Sequence, residues 1–90
     1  MLYHSFWGTG KVIKAKLTEY YYSVMMQISA TKVLEFRILE NLDKVEKDCK
    51  PGATIHFNAQ LSGDWAVMDE WNTEEEYKAK LKEYAKDIEK

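Results

Sequence analysis

Few residues in this chain could take part in chemistry, and their spacing excludes most reactions. Phe6-Trp7-Gly8-Thr9-Gly10-Lys11 ends in the Gly-Lys pair of a phosphate-binding loop, but that loop needs glycine where Ser5 stands and Ser or Thr where Val12 stands. It must also open a helix, whereas the alternation after Lys11 predicts a strand, so the segment reads as a glycine-bounded turn into that strand. His4 and His56 are the only histidines, and neither has a cysteine or carboxylate at metal-ligand spacing. His56 falls on the outward side of a predicted strand, where a solvated imidazole is the expectation. Ser5, Ser23, Ser29 and Ser62 form no local nucleophile signature with either histidine, and Asp64, Asp69 and Glu70 sit at a turn and a strand end, where surface carboxylates are common. The expectation is a protein without catalytic residues, metal or cofactor. Cys49 is alone, so it can form neither an intrachain disulfide nor a thiolate metal cage, and reads as a buried structural thiol in a reducing compartment.

The residue types that remain suit binding. Lys14, Lys16 and Arg37 can neutralise phosphates, Tyr21 can stack on a base, and Met25 and Gln27 accompany them on the outward positions of three predicted strands. Single-stranded DNA or RNA is therefore the first expected partner. A protein partner is the alternative, because Tyr21, Met25 and Val33, with the aromatic cluster of Tyr3, Phe6 and Trp7, are the kinds of side chain that interfaces concentrate. On that alternative the chain would be a small adaptor or inhibitor, including the accessory proteins of phages and mobile elements.

Strands of period two must position these residues. Lys11 to Leu17 alternates Ile13, Ala15 and Leu17, expected inside, with Lys14 and Lys16 outside. Tyr21 to Ala30 places Tyr22, Val24, Met26, Ile28 and Ala30 on one side, and Lys32 to Leu39 places Leu34, Phe36 and Ile38 there. Short connections at Thr18-Glu19-Tyr20 and near Thr31 make these three strands antiparallel neighbours. The period then lengthens. Leu42, Val45 and Cys49 recur at helical spacing from Asn41, placed to cap the first turn, to Lys50, and Pro51-Gly52 ends the helix. A fourth strand, Ala53 to Leu61, alternates Ala53, Ile55, Phe57, Ala59 and Leu61 on the inner side with Thr54, His56, Asn58 and Gln60 on the outer. After the Ser62-Gly63-Asp64 turn, a fifth strand runs from Trp65 to Trp71 with Trp65, Val67 and Trp71 on one face. Thr73-Glu74-Glu75-Glu76 is a capping box, and Tyr77, Leu81, Tyr84 and Ile88 form one face of the helix it starts. That face is expected to pack on the protein's own sheet, with a partner or a second copy as the competing reading.

Ninety residues allow one hydrophobic core, and 46% hydrophobic residues are enough to build it. The net charge is −2, divided into +2 over residues 1–63 and −4 over residues 64–90. No apolar run approaches the roughly 20 residues of a membrane span, and residues 1–10 lack the pattern of a secretory signal, so a cytoplasmic location without membrane contact is expected.

The element order, three strands, a helix, then two strands, with Gly10-Lys11-Val12-Ile13 opening the first strand and Pro51-Gly52-Ala53-Thr54-Ile55 leading into the fourth, resembles the OB-fold, the oligonucleotide/oligosaccharide-binding barrel. The resemblance covers residues 8–71. It implies a mainly β, five-stranded antiparallel barrel whose helix plugs one end, with the C-terminal amphipathic helix, residues 73–89, added outside it in a single domain of residues 1–90. It also implies that single-stranded nucleic acid would lie across the outer face of strands 1–3. An open α+β roll has the same element order.

Overall fold

Alternating strands that share one apolar side can all bury it by closing on themselves, and this chain does so. The computed structural model describes residues 4–88 and, of these, the side chains of residues 5–86. Five strands, β1 (His4–Leu17), β2 (Tyr22–Gln27), β3 (Val33–Ile38), β4 (Thr54–Ser62) and β5 (Trp65–Thr73), form a closed barrel in the order β1-β2-β3-β5-β4. Helix α1 (Leu42–Asp48) lies between β3 and β4, and α2 (Glu74–Ile88) follows β5. The barrel is mixed where a wholly antiparallel one was expected: β3 and β5 run parallel over Glu35↔Trp65 to Arg37↔Val67. The helical crossover from β3 brings the chain back so that the β4–β5 hairpin docks β5 beside β3 in the same direction.

Strand β1 starts earlier than the sequence pattern predicts. The Phe6–Gly10 segment is strand, paired with β4 from His4↔Leu61 to Lys11↔Thr54, where a turn was expected. Its glycines serve close packing: a Cβ on Gly8 would sit 2.8 Å from Cζ of Phe57, and one on Gly10 would sit 3.1 Å from Cβ of Met26. The second half of β1 pairs with β2, and between the halves Ile13 is an extra residue, since Val12 faces Met26 and Lys14 faces Met25. This bulge reverses the expected phase, leaving Val12 buried and Ile13 46% exposed; Leu17, at the strand end, is also exposed. A second bulge at Asp69 separates Ala59↔Met68 from Asn58↔Glu70 and has the same effect in β5. Ala66, Met68 and Trp71 face the core, while Trp65 and Val67 face outward, opposite to their expected side.

Phe36 and Phe57 occupy the centre of the core in an edge-to-face contact at 4.6 Å, and Phe6 packs edge-on against Phe57 at 5.6 Å. Val45 from α1 and Cys49, the residue that ends it, join this core. Asn41 takes the left-handed conformation (φ 58°) and makes no side-chain cap, contrary to expectation; its carbonyl accepts from the N–H groups of Lys44 and Val45 instead. Asp48 Oδ2 accepts from Lys44 Nζ at 2.6 Å and from the Trp71 indole at 3.2 Å, and Lys44 reaches on to Glu76, joining α1, β5 and α2.

The capping box forms as expected, with the Thr73 N–H donating to Glu76 at 3.0 Å and the Glu76 N–H donating to Thr73 Oγ1 at 3.2 Å. Past its first turn α2 leaves the barrel. Tyr77 stacks on His56 at 3.8 Å, but Leu81 and Tyr84 are 49% and 66% exposed, so the apolar face packs on the sheet at one end only. The side chain of Ile88, assigned to the same face, lies outside the described residues. No helix among the described residues is long and apolar enough to cross a membrane.

Candidate nucleic-acid interface

The outer wall of the barrel between β1 and β5 collects the cationic and aromatic residues. Strand register arranges them in rows: Lys16 faces Ser23, which faces Arg37, which faces Val67; alongside, Lys14 faces Met25, which faces Glu35, which faces Trp65. Lys11, Gln27 and Val33 form a third row. Directly paired residues share a face, so Lys14, Lys16, Met25, Gln27 and Arg37 lie on one continuous surface.

Tyr21 joins them from the β1–β2 connection. The Thr18 hydroxyl donates to the Tyr21 carbonyl at 2.6 Å and accepts from its N–H at 3.1 Å, which fixes the turn and the start of the Tyr21 side chain. The Arg37 guanidinium then lies 4.7 Å from the Tyr21 ring centre and 4.2 Å from that of Trp65. Those rings come from either side of the central strand, β2 and β5 flanking β3. Glu35 holds Arg37 in place: its carboxylate accepts from Arg37 Nε at 2.9 Å and from the Ser23 hydroxyl at 2.6 Å. The Ser23 hydrogen bond, outweighing partial burial and assisted by Arg37, holds the Glu35 carboxyl below the usual range. Nε is engaged by Glu35, so the amino groups of Arg37 are the ones left to meet a ligand.

Trp65 is the member of this group that sequence reasoning placed on the wrong side. The available signal was the small-large pair Ala66 and Met68, which alternates with it and fits a tapering core; Trp71, in phase with Trp65 by simple counting, hid the intervening bulge at Asp69.

The residues of the protein-partner alternative are scattered. Trp7 is 75% exposed and Val33 47%, but Phe6 turns into the barrel against Phe57, Tyr21 lies against Arg37, and Tyr3 is outside the described residues. His56 is outward-facing yet not solvated. Its Nδ1 is 3.1 Å from Thr9 Oγ1, its Nε2 is 3.0 Å from Glu74, and the Tyr77 ring covers it. The Cys49 thiol is buried, and that burial, reinforced by Asp48, pushes it up to about 12, so it stays protonated and unreactive.

A closed five-stranded barrel with a helix between β3 and β4 is an OB-fold. A chain in the crystal structure of the S. pombe Stn1-ten1 complex is similar to it over 93% of this chain and 72% of that one, with a TM-score of 0.67 and 13% sequence identity. That likeness is one of fold. No family model matches the sequence, and no curated protein is similar to it.

Proposed function

We propose that this protein acts by binding rather than catalysis, and that its ligand is single-stranded nucleic acid laid across the outer face of β1, β2, β3 and β5. The observation that carries this reading is the Tyr21–Arg37–Trp65 group, set beside Lys14 and Lys16 on one wall. The Tyr21 and Trp65 rings are half-buried against Arg37; the parts of them left open would stack on bases at roughly 1–3 kcal/mol each without regard to sequence, and the lysines would take the phosphates. Glu35 reduces the net positive charge at the centre, so affinity on this reading comes more from stacking than from charge. With Lys11, Lys14 and Lys16 engaged, the slope of log K against log salt would be about −2.

The test is an anisotropy titration of labelled single-stranded DNA and RNA at low and near-physiological salt. Saturable, salt-weakened binding that disappears in the Tyr21→Ala/Arg37→Ala double variant is the expected result. No binding at low salt, or wild-type binding by the double variant, rejects the reading.

One observation favours a second reading, a protein partner: Leu81 and Tyr84 continue the apolar stripe of α2 beyond the barrel, where the protein itself does not cover them.

A further inference from the structure

The outer side of β4 and its two neighbours carries a second collection of side chains, none of them in the Tyr21–Arg37–Trp65 group. Register sets Trp7 opposite Asn58 and Asn58 opposite Glu70; in the next row Thr9 faces His56, which faces Asn72. Trp7 and Glu70 thus stand two strand spacings apart, about 10 Å, on one face. Tyr77, stacked on His56, and Lys80 bring α2 over the same place, and these residues line a groove of about 430 Å³. That is room for one small ligand.

The chemistry of the groove narrows what it can hold. Its walls include two aromatic rings, the largely exposed indole of Trp7 and the phenol of Tyr77. Its charges are Glu70 and Lys80, and among the described residues neither lies within ion-pair distance of an opposite charge. The nearby acids are engaged, Asp69 by the Gln60 amide and Glu74 by His56. In the row between Trp7 and Glu70, the Asn58 Oδ1 is shut off from water and has no donor among the described residues. This side of the barrel therefore has acceptors in excess of donors.

A ligand suited to the groove stacks, presents N–H groups to a carboxylate and carries an anion toward Lys80. Guanine has the matching edge: N1–H and N2–H lie side by side, the same fork that arginine presents to a carboxylate. Adenine, cytosine and uracil each set an acceptor beside the donor. A phosphate supplies the anion. We infer that the groove between Trp7 and α2 binds a guanine nucleotide, with the base between Trp7 and Tyr77, its N–H pair on Glu70 and its phosphate on Lys80. The inference shares no residue with the proposed nucleic-acid wall and stands or falls separately from it.

Isothermal titration calorimetry of the full chain with GMP, AMP, CMP and UMP, and with a short single-stranded RNA carrying one guanine, tests it. The guanine ligand is expected to bind at least about ten-fold more tightly than its counterparts. Trp7→Ala should weaken it about ten-fold. Glu70→Gln should remove the preference for guanine, because an amide presents one donor and one acceptor where the carboxylate presents two acceptors. Lys80→Gln should weaken GMP and leave guanosine unchanged. All three side chains are exposed, so each variant should remain folded by circular dichroism. The Tyr21→Ala/Arg37→Ala double variant should bind GMP as the wild type does. Binding of GMP alone would show that the free nucleotide suffices; guanine-dependent binding of the RNA alone, lost in Trp7→Ala, would show that the base is read within a strand. Equal affinity for the four bases, no binding of either guanine ligand, or wild-type affinity in Trp7→Ala overturns the inference.

Discussion

Substituting Gly8 by alanine would place a methyl group inside the most tightly packed part of the barrel. The added carbon would lie 2.8, 3.2 and 3.5 Å from Cζ, Cε1 and Cε2 of Phe57, well inside ordinary contact for the first. The ring cannot retreat easily: it is 2% exposed and held by Phe6 at 5.6 Å and Phe36 at 4.6 Å. Overpacking of this kind costs roughly 1–3 kcal/mol, against a total stability of about 5–13 kcal/mol for a chain of this length. Phe57→Leu alone would lose part of the aromatic contact, but it also removes the atoms that meet the new methyl. The double variant should therefore be less destabilised than the sum of the two by at least ~1 kcal/mol. Urea unfolding monitored by tryptophan fluorescence would measure this through the transition midpoint, with the slope unchanged. A Gly8→Ala protein as stable as wild type, or additivity within about 0.5 kcal/mol, would refute the claim that glycine is there to admit the Phe57 ring.

Other expectations follow from the same structure. Trp65→Ala should weaken single-stranded nucleic-acid binding by about 1–3 kcal/mol in the anisotropy assay. Its side chain is outside the core, so thermal stability should change little. Thr73→Ala should cost roughly 0.5–2 kcal/mol and reduce helical ellipticity. Glu76 is held below the usual carboxylate range chiefly by the Thr73 backbone N–H, with Lys44 assisting against partial burial. Its stabilising effect is thus present above the unfolded value and lost as pH falls through the folded one, so wild type and Glu76→Gln should converge in stability on acidification. Native Cys49 should resist thiol reagents at pH 8 and react fully once the protein is unfolded; fast labelling of the folded protein would contradict its burial.

The element order could be read from the sequence because period-two alternation survives wherever a strand runs straight. β3 and β4 show this, with Leu34, Phe36 and Ile38, then Ile55, Phe57 and Ala59, buried as expected, although Leu61, expected inside near the end of β4, is 41% exposed. β1 and β5 differ because each contains one extra residue, and neither Ile13 nor Asp69 announces itself by type; a bulge is a matter of pairing, known only when the partner strand is in place. The cationic positions Lys14, Lys16 and Arg37 lay beyond or away from the bulges and kept their expected side. Trp65 lay before the Asp69 bulge and did not. The outcome for α2 was hidden for another reason: amphipathic spacing says that a face needs covering but not how far the barrel extends beneath it.

The two-part pairing of β1 divides the barrel into local and distant contacts. Its second half meets β2 across a short turn, so β1, β2 and β3 can associate as a local meander while the rest of the chain is still free. Its first half pairs with β4, joining His4 to Leu61, and β5 meets β3 only after the α1 crossover, so both seams of the barrel wait for distant segments. Loop-closure entropy must be met before these long-range contacts contribute. Until then the meander displays Phe36, Met26 and Val24 to water. On contact order the pairing of β5 with β3 is expected to form after the meander, so side-chain truncations along that seam should speed unfolding more than they slow folding in stopped-flow measurements.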